Sequence, residues 1–451
     1  MPDVEPVPLL APRDGVPPVV ETPDALASTV AAFSGATGPV AVDAERASGY
    51  RYGHRAYLVQ LRRSGAGTAL VDPVGCPDLS TLGDALADAE WVLHAATQDL
   101  PCLADVGMRP GRLFDTELAG RLAGHPRVGL GAIVESVLGY ALEKGHAAVD
   151  WSTRPLPEPW LRYAALDVEV LVELRDALEK DLETQGKLAW AREEFAALVD
   201  TPAPGARPDP WRRTSGIHRV RRARQLAAVR ELWQARDELA KELDRAPGRV
   251  LPDAAIVEAA RSPARTADDL AGLKGFSGRT ARRHLGVWAR ALRQAASMND
   301  QDLPRSARVG DGPPPARAWP DRDPVAAERL TALRAAVAAI ADEHTLPSEN
   351  LLAPDVVRRV AWEPPGDLSV ESVASVLTGY GARSWQVGLT STAIARALDR
   401  LRTKEDVVQP GSRTGRASDD TPQDEVAHDS AERDRSQHER AQHDPASDVT
   451  G

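Results

Sequence analysis

The sequence predicts an α/β layer followed by two small all-α units, and three observations carry that expectation. From about Val19 to Val199, short apolar runs alternate with helical stretches, the pattern of strands covered by helices. Beyond a proline-rich stretch, Thr201 to Pro210, the apolar period becomes helical. After a second proline- and glycine-rich stretch, Gly310 to Pro320, the helical pattern repeats. A chain of 451 residues suits about three domains.

In chain order, residues 1–20 are Pro-rich and read as a disordered N-terminus. VAVDAE and RAYLVQLRR are strands of a hairpin or meander, TALVDP is a third strand and EWVLHAA a fourth. LSTLGDALADA is a helix with Ser80 or Thr81 available as its cap, and Thr97 is placed to cap the helix that carries Asp99. This layer spans 21–200, and a linker spans 201–215. RQLAAVRELWQARDELAKELD, LPDAAIVEAAR, TADDLAGLKG and GRTARRHLGVWARALRQ then make a helical unit over 216–298. After a linker at 299–322, ERLTALRAAVAAIADEH, LLAPDVVRRVAWEP and TGYGARSWQ echo that unit over 323–403. Asp253 to Gly275 spans 22 residues and Asp355 to Gly379 spans 24, which favours a tandem duplication. Residues 404–451 contain no Leu, Ile, Phe, Trp, Tyr or Met. Such a tail buries too little apolar area to offset its ordering entropy and reads as disordered and acidic.

Charge is unevenly distributed. The chain carries −11, yet Trp211 to Ser297 holds 19 Lys+Arg against 9 Asp+Glu, a net of +10 that leaves −21 elsewhere. A basic unit inside an acidic protein is an electrostatic footprint for a phosphate backbone, to be weighed against a merely solvated arginine-rich surface. Cys76 and Cys102 are too few for a disulfide framework, so a reducing, cytoplasmic setting is expected. Neither a signal peptide nor a membrane-length apolar run is evident. With no Gly-Lys-Ser/Thr phosphate loop, a helicase is disfavoured.

Four acidic residues and a tyrosine carry the chemistry. Asp43 and Glu45 are two apart on a strand and share a face. Asp99 follows WVLHAATQ, and Tyr163 precedes Asp167 by one helical turn in WLRYAALDVEVLVEL. Clustered carboxylates repel unless a cation holds them, and Mg²⁺ or Mn²⁺ prefers such hard oxygen donors. Two such ions about 4 Å apart clamp the attacking and leaving oxygens of a phosphodiester. Each carboxylate alone is more often a solvated surface group. Asp43, ending an apolar strand, is harder to dismiss because a lone buried charge is costly.

These motifs, with FDTELAG and DWSTRPLPEPWLRYAALDVEVL, resemble the ribonuclease D family of DEDD 3′→5′ exonucleases. The helical repeats resemble HRDC domains, and together the resemblance covers about 380 residues. It implies a ribonuclease H-like mixed-sheet exonuclease domain followed by two HRDC-like domains, and cleavage of RNA 3′ ends to nucleoside 5′-monophosphates with two divalent ions. It further implies that Asp43, Glu45 and Asp167 hold one ion, that Asp43 bridges to a second near Asp99, and that Tyr163 orients and helps deprotonate the attacking water. Structured RNA, tRNA precursors above all, is the implied substrate. An exonuclease acting on DNA ends and a non-catalytic nucleic-acid scaffold are the alternatives. One departure is Arg46, which stands where the family commonly has an aromatic residue. It either contacts phosphate or faces solvent.

Other residues carry two readings each. His94 is a strand-end histidine with a hydrogen-bond partner or a contact to the terminal nucleotide. Asp115 and Thr116 read as a helix-start cap. Trp151 and Arg154 line a substrate groove or pack inside. Tyr50, Arg51 and Tyr52 meet the nucleic acid or are ordinary hairpin residues. Trp233, Phe276 and Trp288 are at helical spacing and read as core.

Overall fold

Residues 5–143, 145–146, 148–200, 205, 207–305 and 312–408 are described by a computed structural model of the chain. In the first part, strands β1 (Val7–Leu9) and β2 (Val19–Val20) precede helix α1 (Pro23–Gly35). The antiparallel run β3 (Val40–Arg46), β4 (Ala56–Arg63) and β5 (Gly67–Val71) follows. Helix α2 (Ser80–Ala85), β6 (Glu90–Leu93), α3 (Leu100–Asp105) and β7 (Arg112–Asp115) come next. The layer closes with α4 (Thr116–Ala123), α5 (Leu130–Leu138), β8 (Tyr140–Leu142), α6 (Glu158–Glu169), α7 (Leu171–Thr184) and α8 (Leu188–Asp200). Six strands form one mixed sheet in the order β2-β5-β4-β3-β6-β7. The β3–β4 and β4–β5 pairs are antiparallel, and β3–β6 and β6–β7 are parallel.

Strand β3 is central and covered on both faces, which explains its near-continuous apolar sequence. Val40, Val42 and Ala44 pack with Phe33, Leu82, Trp91 and Leu103. Ala41, on the other face, packs with Val92, Val168 and Leu171 of α6 and α7. Alternation therefore points Asp43 and Glu45 toward α6 and α7. The β3–β4 register slips between Glu45 and Arg46, a bulge that re-aims the chain just after the two carboxylates.

The two helical units follow one plan. In the first, α9 (Ala223–Glu242), α10 (Pro247–Val250), α11 (Asp253–Arg261), α12 (Ala267–Ala271), α13 (Arg279–Arg283) and α14 (Leu285–Ser297) enclose their own core around Trp211, Leu232, Ile256, Phe276 and Trp288. The second begins with α15 (Trp319–Arg322), then α16 (Pro324–Glu343), α17 (Ser348–Leu351), α18 (Pro354–Trp362), α19 (Val370–Gly379) and α20 (Ser384–Val408). Helices of 20, 4 and 9 residues open the first series, and the same run follows α15 in the second.

The second helical unit lacks an independent core. Trp319, Leu333, Val337 and Trp385 join one cluster with Leu122, Ile133, Leu178 and Phe195 of the α/β layer. Trp385 stacks on Trp190 with centroids 5.1 Å apart at 11°, and its indole N–H donates to Glu194 at 3.0 Å. Gly124 ends α4 at φ +85, and a Cβ there would lie 2.7 Å from the carbonyl oxygen of Thr345, so only glycine allows this approach.

Several boundaries differ from expectation. The segment expected to be disordered at 1–20 includes strand β1, whose Val7 aligns with Tyr140 of β8, and strand β2 beside β5. Arg13 and Asp14 anchor it: Arg13 pairs with Glu173, and Asp14 with Arg62 at 3.0 Å. The linker expected at 201–215 ends in buried Trp211, and that at 299–322 ends in fully buried Trp319, because an indole gains more from burial than a linker gains from freedom. Of the tail expected at 404–451, residues 404–408 continue α20 and 409–451 lie outside the described residues. Helix α2 is capped by neither Ser80 nor Thr81; Asp78 accepts from the Ser80 N–H at 2.9 Å instead. Thr97 lies inside the 3-10 turn Ala96–Gln98 and Asp99 takes the N-cap position of α3, without a side-chain cap bond.

Candidate active site

The bulged strand and helix α6 bring three carboxyl groups together. One oxygen each from Asp43, Glu45 and Asp167 lies within 4.8 Å of the other two. Asp99 stands close enough to Asp43 for the Asp43 charge to act on its carboxyl group. One turn before Asp167, Tyr163 opens onto the same cleft. The structure thus assembles all five residues singled out from the sequence. Asp43, Tyr163 and Asp167 line a cleft of about 290 Å³, with His94, Leu130 and Leu142 completing its wall.

Asp99 arrives there through a strained turn held by a residue from another strand. Ala95 has φ 58, an uncommon conformation for alanine. Asp115 accepts from the N–H of Ala95 at 3.1 Å and of Ala96 at 2.9 Å. The same carboxylate caps α4 as expected, accepting from Glu117 at 2.9 Å and Leu118 at 3.1 Å. One buried side chain therefore fixes both a helix start and the turn that presents Asp99.

Crowding of these acids has an electrostatic cost. Burial, then the negative charges of Asp43, Asp167 and Asp99, push the Glu45 carboxyl up to about 10. Burial and the charge of Asp43 push Asp99 up to about 8. Burial also raises Asp43, and burial with the Asp43 charge raises Asp167. Burial raises the Tyr163 phenol as well, helped by the charges of Asp167 and Glu45. Four carboxyl groups that resist ionisation side by side are the signature of a site completed by cations. Asp99 Oδ1 is buried and accepts no hydrogen bond; its partner is the Arg46 guanidinium, 3.2 Å away, and it is a hard oxygen donor of the kind such cations take.

The chain matches family models over most of its described length: a 3′-5′ exonuclease over residues 17–183, an HRDC domain over 225–292, and a 3′ to 5′ exonuclease C-terminal domain over 312–398. It is 32% identical over 339 residues to a ribonuclease D of Gluconacetobacter diazotrophicus, covering 73% of this chain and 82% of the relative. The chain belongs to the ribonuclease D family. A ribonuclease D of Granulibacter bethesdensis is 32% identical over 302 residues, covering 64% of this chain and 72% of the relative. Among solved structures, a protein from Bifidobacterium adolescentis is 38% identical with a TM-score of 0.81, covering 88% of this chain and 100% of its own. The RNase D of Escherichia coli, described as an exoribonuclease involved in structured RNA processing, is 26% identical with a TM-score of 0.63, covering 85% and 98%.

The ribonuclease H-like fold expected from the sequence is therefore present, and the chain is a 3′→5′ exonuclease. Divalent-metal chemistry comes with that fold, and the acidic cluster fits it. The second helical unit matches a different model from the HRDC unit, in keeping with its shared core.

Around this family site, the two-way readings resolve. His94 hydrogen-bonds Thr116 at 2.9 Å, and burial lowers its pKa to about 4. Trp151 is fully buried against Trp160. Arg154 pairs with Asp72 at 2.7 Å and donates to the Tyr57 carbonyl, so it is a structural clamp and not a groove residue. Phe276 and Trp288 are core residues. Tyr50, Arg51 and Tyr52 seat the HRDC unit: Tyr52 donates to Asp237 at 3.1 Å, the Tyr50 carbonyl accepts from Ala246 at 2.9 Å, and Arg51 faces Asp244 at 3.6 Å.

One residue escaped the sequence reading. Gln60, in register with Asp43, is fully buried, and neither amide atom has a hydrogen-bond partner. A polar residue inside the apolar run YLVQL was its signal. Arg46 is half-buried, with its guanidinium 3.2 Å from Asp99 Oδ1.

Proposed function

We propose that this 3′→5′ exoribonuclease removes nucleotides one at a time from RNA 3′ ends through two divalent cations, Mg²⁺ or Mn²⁺, and releases nucleoside 5′-monophosphates. The observation that carries the reading is the mutual approach of Asp43, Glu45 and Asp167 to within 4.8 Å. These three would hold one cation; Asp43 and Asp99 would hold the other. Bound there, the cations supply the charge that lowers the attacking water's pKa and offsets charge building on phosphorus.

The side chains do the rest. Tyr163, one turn before Asp167 in the same cleft, orients the attacking water toward phosphorus and helps deprotonate it. Leu130 and Leu142 present an apolar wall to the terminal nucleotide.

The units divide the labour: cleavage in the α/β layer, RNA-body binding in the first helical unit, and packing in the second. Support for the second assignment is the net +10 of the HRDC stretch together with its attachment to the loop that leaves the catalytic strand. The substrates are structured RNAs, in keeping with the description of the Escherichia coli relative, with tRNA precursors foremost by the family resemblance. The setting is the cytoplasm; among the described residues no helix is long and apolar enough to cross a membrane.

A tRNA precursor labelled at its 3′ or 5′ end tests this. With Mg²⁺ or Mn²⁺, the 3′ label should appear at once as mononucleotide while the 5′ label stays on a shortening chain. EDTA, Asp43→Ala and Asp167→Asn should each stop release and leave RNA binding largely intact. Native-rate digestion by those variants refutes the assignment, and preference for a matched DNA strand refutes the substrate.

A further inference from the structure

Arg46 sits where a cation is needed. The bulge after Glu45 turns its side chain back, and one guanidinium nitrogen lies 3.2 Å from Asp99 Oδ1. Another donates to the carbonyl of Gln98, the residue before Asp99. Both ends of the pair are sheltered, with the Arg46 side chain 27% exposed and that of Asp99 6%. The geometry is that of an ion pair without hydrogen-bond alignment, since Asp99 Oδ1 still accepts no hydrogen bond. Among the described residues, Arg46 forms its ion pair with Asp99, and no ion pair reaches Asp43, Glu45 or Asp167. The site is thus electrostatically lopsided. Its Asp99 side carries a built-in counter-charge and its Asp167 side does not.

We infer that Arg46 is an intramolecular competitor for the second divalent cation, an affinity-setting residue that makes the two cations bind in sequence, first at Asp43, Glu45 and Asp167 and then, more weakly, at Asp99. A carboxylate neutralised by a guanidinium attracts a divalent ion less than a bare one, because the ion must displace or share with a charge already present. The second cation therefore binds firmly only when a further negative group, the RNA phosphate, adds its charge. This couples complete assembly of the site to the presence of substrate. The inference rests on the metal-dependent reading above.

Manganese titration of the full-length, RNA-free protein decides it, by calorimetry and by electron paramagnetic counting of bound Mn²⁺. The wild type should bind one ion tightly and a second at least about tenfold more weakly. Arg46→Gln should tighten the second step by about tenfold and leave the first nearly unchanged, the factor expected for removing one sheltered ion pair. Arg46→Lys, which keeps the charge, should titrate close to the wild type. A metal-free melting curve gives an independent reading: Arg46→Gln should melt lower than the wild type and gain more from added Mn²⁺. If Arg46→Gln and the wild type show the same two affinities, Arg46 is not a competitor and the metal site stands. If neither protein binds Mn²⁺, the metal site itself falls and the inference with it.

Discussion

The carboxylate of Asp115 accepts the N–H of Ala96 at 2.9 Å, across 19 residues of sequence, and so ties the start of α4 to the turn that delivers Asp99. Replacing it leaves buried backbone donors unpaired at two places at once. Asp115→Ala should destabilise the fold by about 2–4 kcal/mol, the combined cost of a lost cap and an unsatisfied turn. Displacement of Asp99 should also lower kcat by about 10- to 10²-fold. Urea unfolding and single-turnover RNA cleavage measure the two effects; a stable variant with native turnover would remove Asp115 from the account.

Tyr163→Phe removes only the hydroxyl. The ring remains in the cleft, so Mn²⁺ binding and RNA affinity should persist while kcat falls about 10²-fold or more. Titration calorimetry alongside kinetics separates the two. An unchanged kcat would mean that the hydroxyl does not position the water.

After burial, the charge of Asp43 is the shared influence that raises Glu45, Asp99 and Asp167. In EDTA, Asp43→Asn should therefore stabilise the protein, by about 1 kcal/mol or more, while activity disappears. Thermal melts with and without Mg²⁺ check this: the metal should raise the Tm of the wild type clearly and that of the variant little. A lower melting temperature for metal-free Asp43→Asn contradicts the crowding argument.

His94 supplies a pH dependence whose sign is fixed by burial. Its pKa falls from an unfolded value of about 6.5 to about 4 in the fold. The unfolded chain thus binds the extra proton first, and stability drops as pH falls from about 6.5 toward 4. By pH 5 the loss should be about 2 kcal/mol relative to pH 7.5. His94→Gln should erase most of that difference; an equal acid sensitivity in the variant would assign it elsewhere.

The stacked pair Trp190–Trp385 joins the second helical unit to the α/β layer. Trp385→Ala should cost about 3–5 kcal/mol, as for a buried large-to-small change, and also strip Glu194 of its indole donor. Both units should lose protection in hydrogen exchange together. Selective loosening of residues beyond 312 would show that the shared core is not cooperative.

The parts of the site legible in the sequence were those governed by local periodicity. The two-residue spacing of Asp43 and Glu45 and the four-residue spacing of Tyr163 and Asp167 each put side chains on one face, and the fold keeps them there. Asp99 had no such local rule, and only its acidic side chain marked it beside the other carboxylates. What stayed hidden was non-local. The second duty of Asp115, toward Ala95 and Ala96, leaves no spacing to read. The N-terminal segment looked loose because its proline-rich composition conceals a partner in β8 far along the chain. The pairing of Arg46 with Asp99 was hidden because it follows a bulge that alternation does not show. The helical repeat was legible in its helix lengths, whereas the sharing of its second core with the α/β layer depended on which apolar faces met.

Crystals of the full chain soaked in Mn²⁺ and measured at the manganese absorption edge put the central claim to its most direct test. The account predicts anomalous density bounded by oxygens of Asp43, Glu45 and Asp167 at about 2.1 Å, with weaker density toward Asp99 that strengthens when a non-hydrolysable RNA is added. Density absent from this cluster, or bound only elsewhere on the surface, would contradict it.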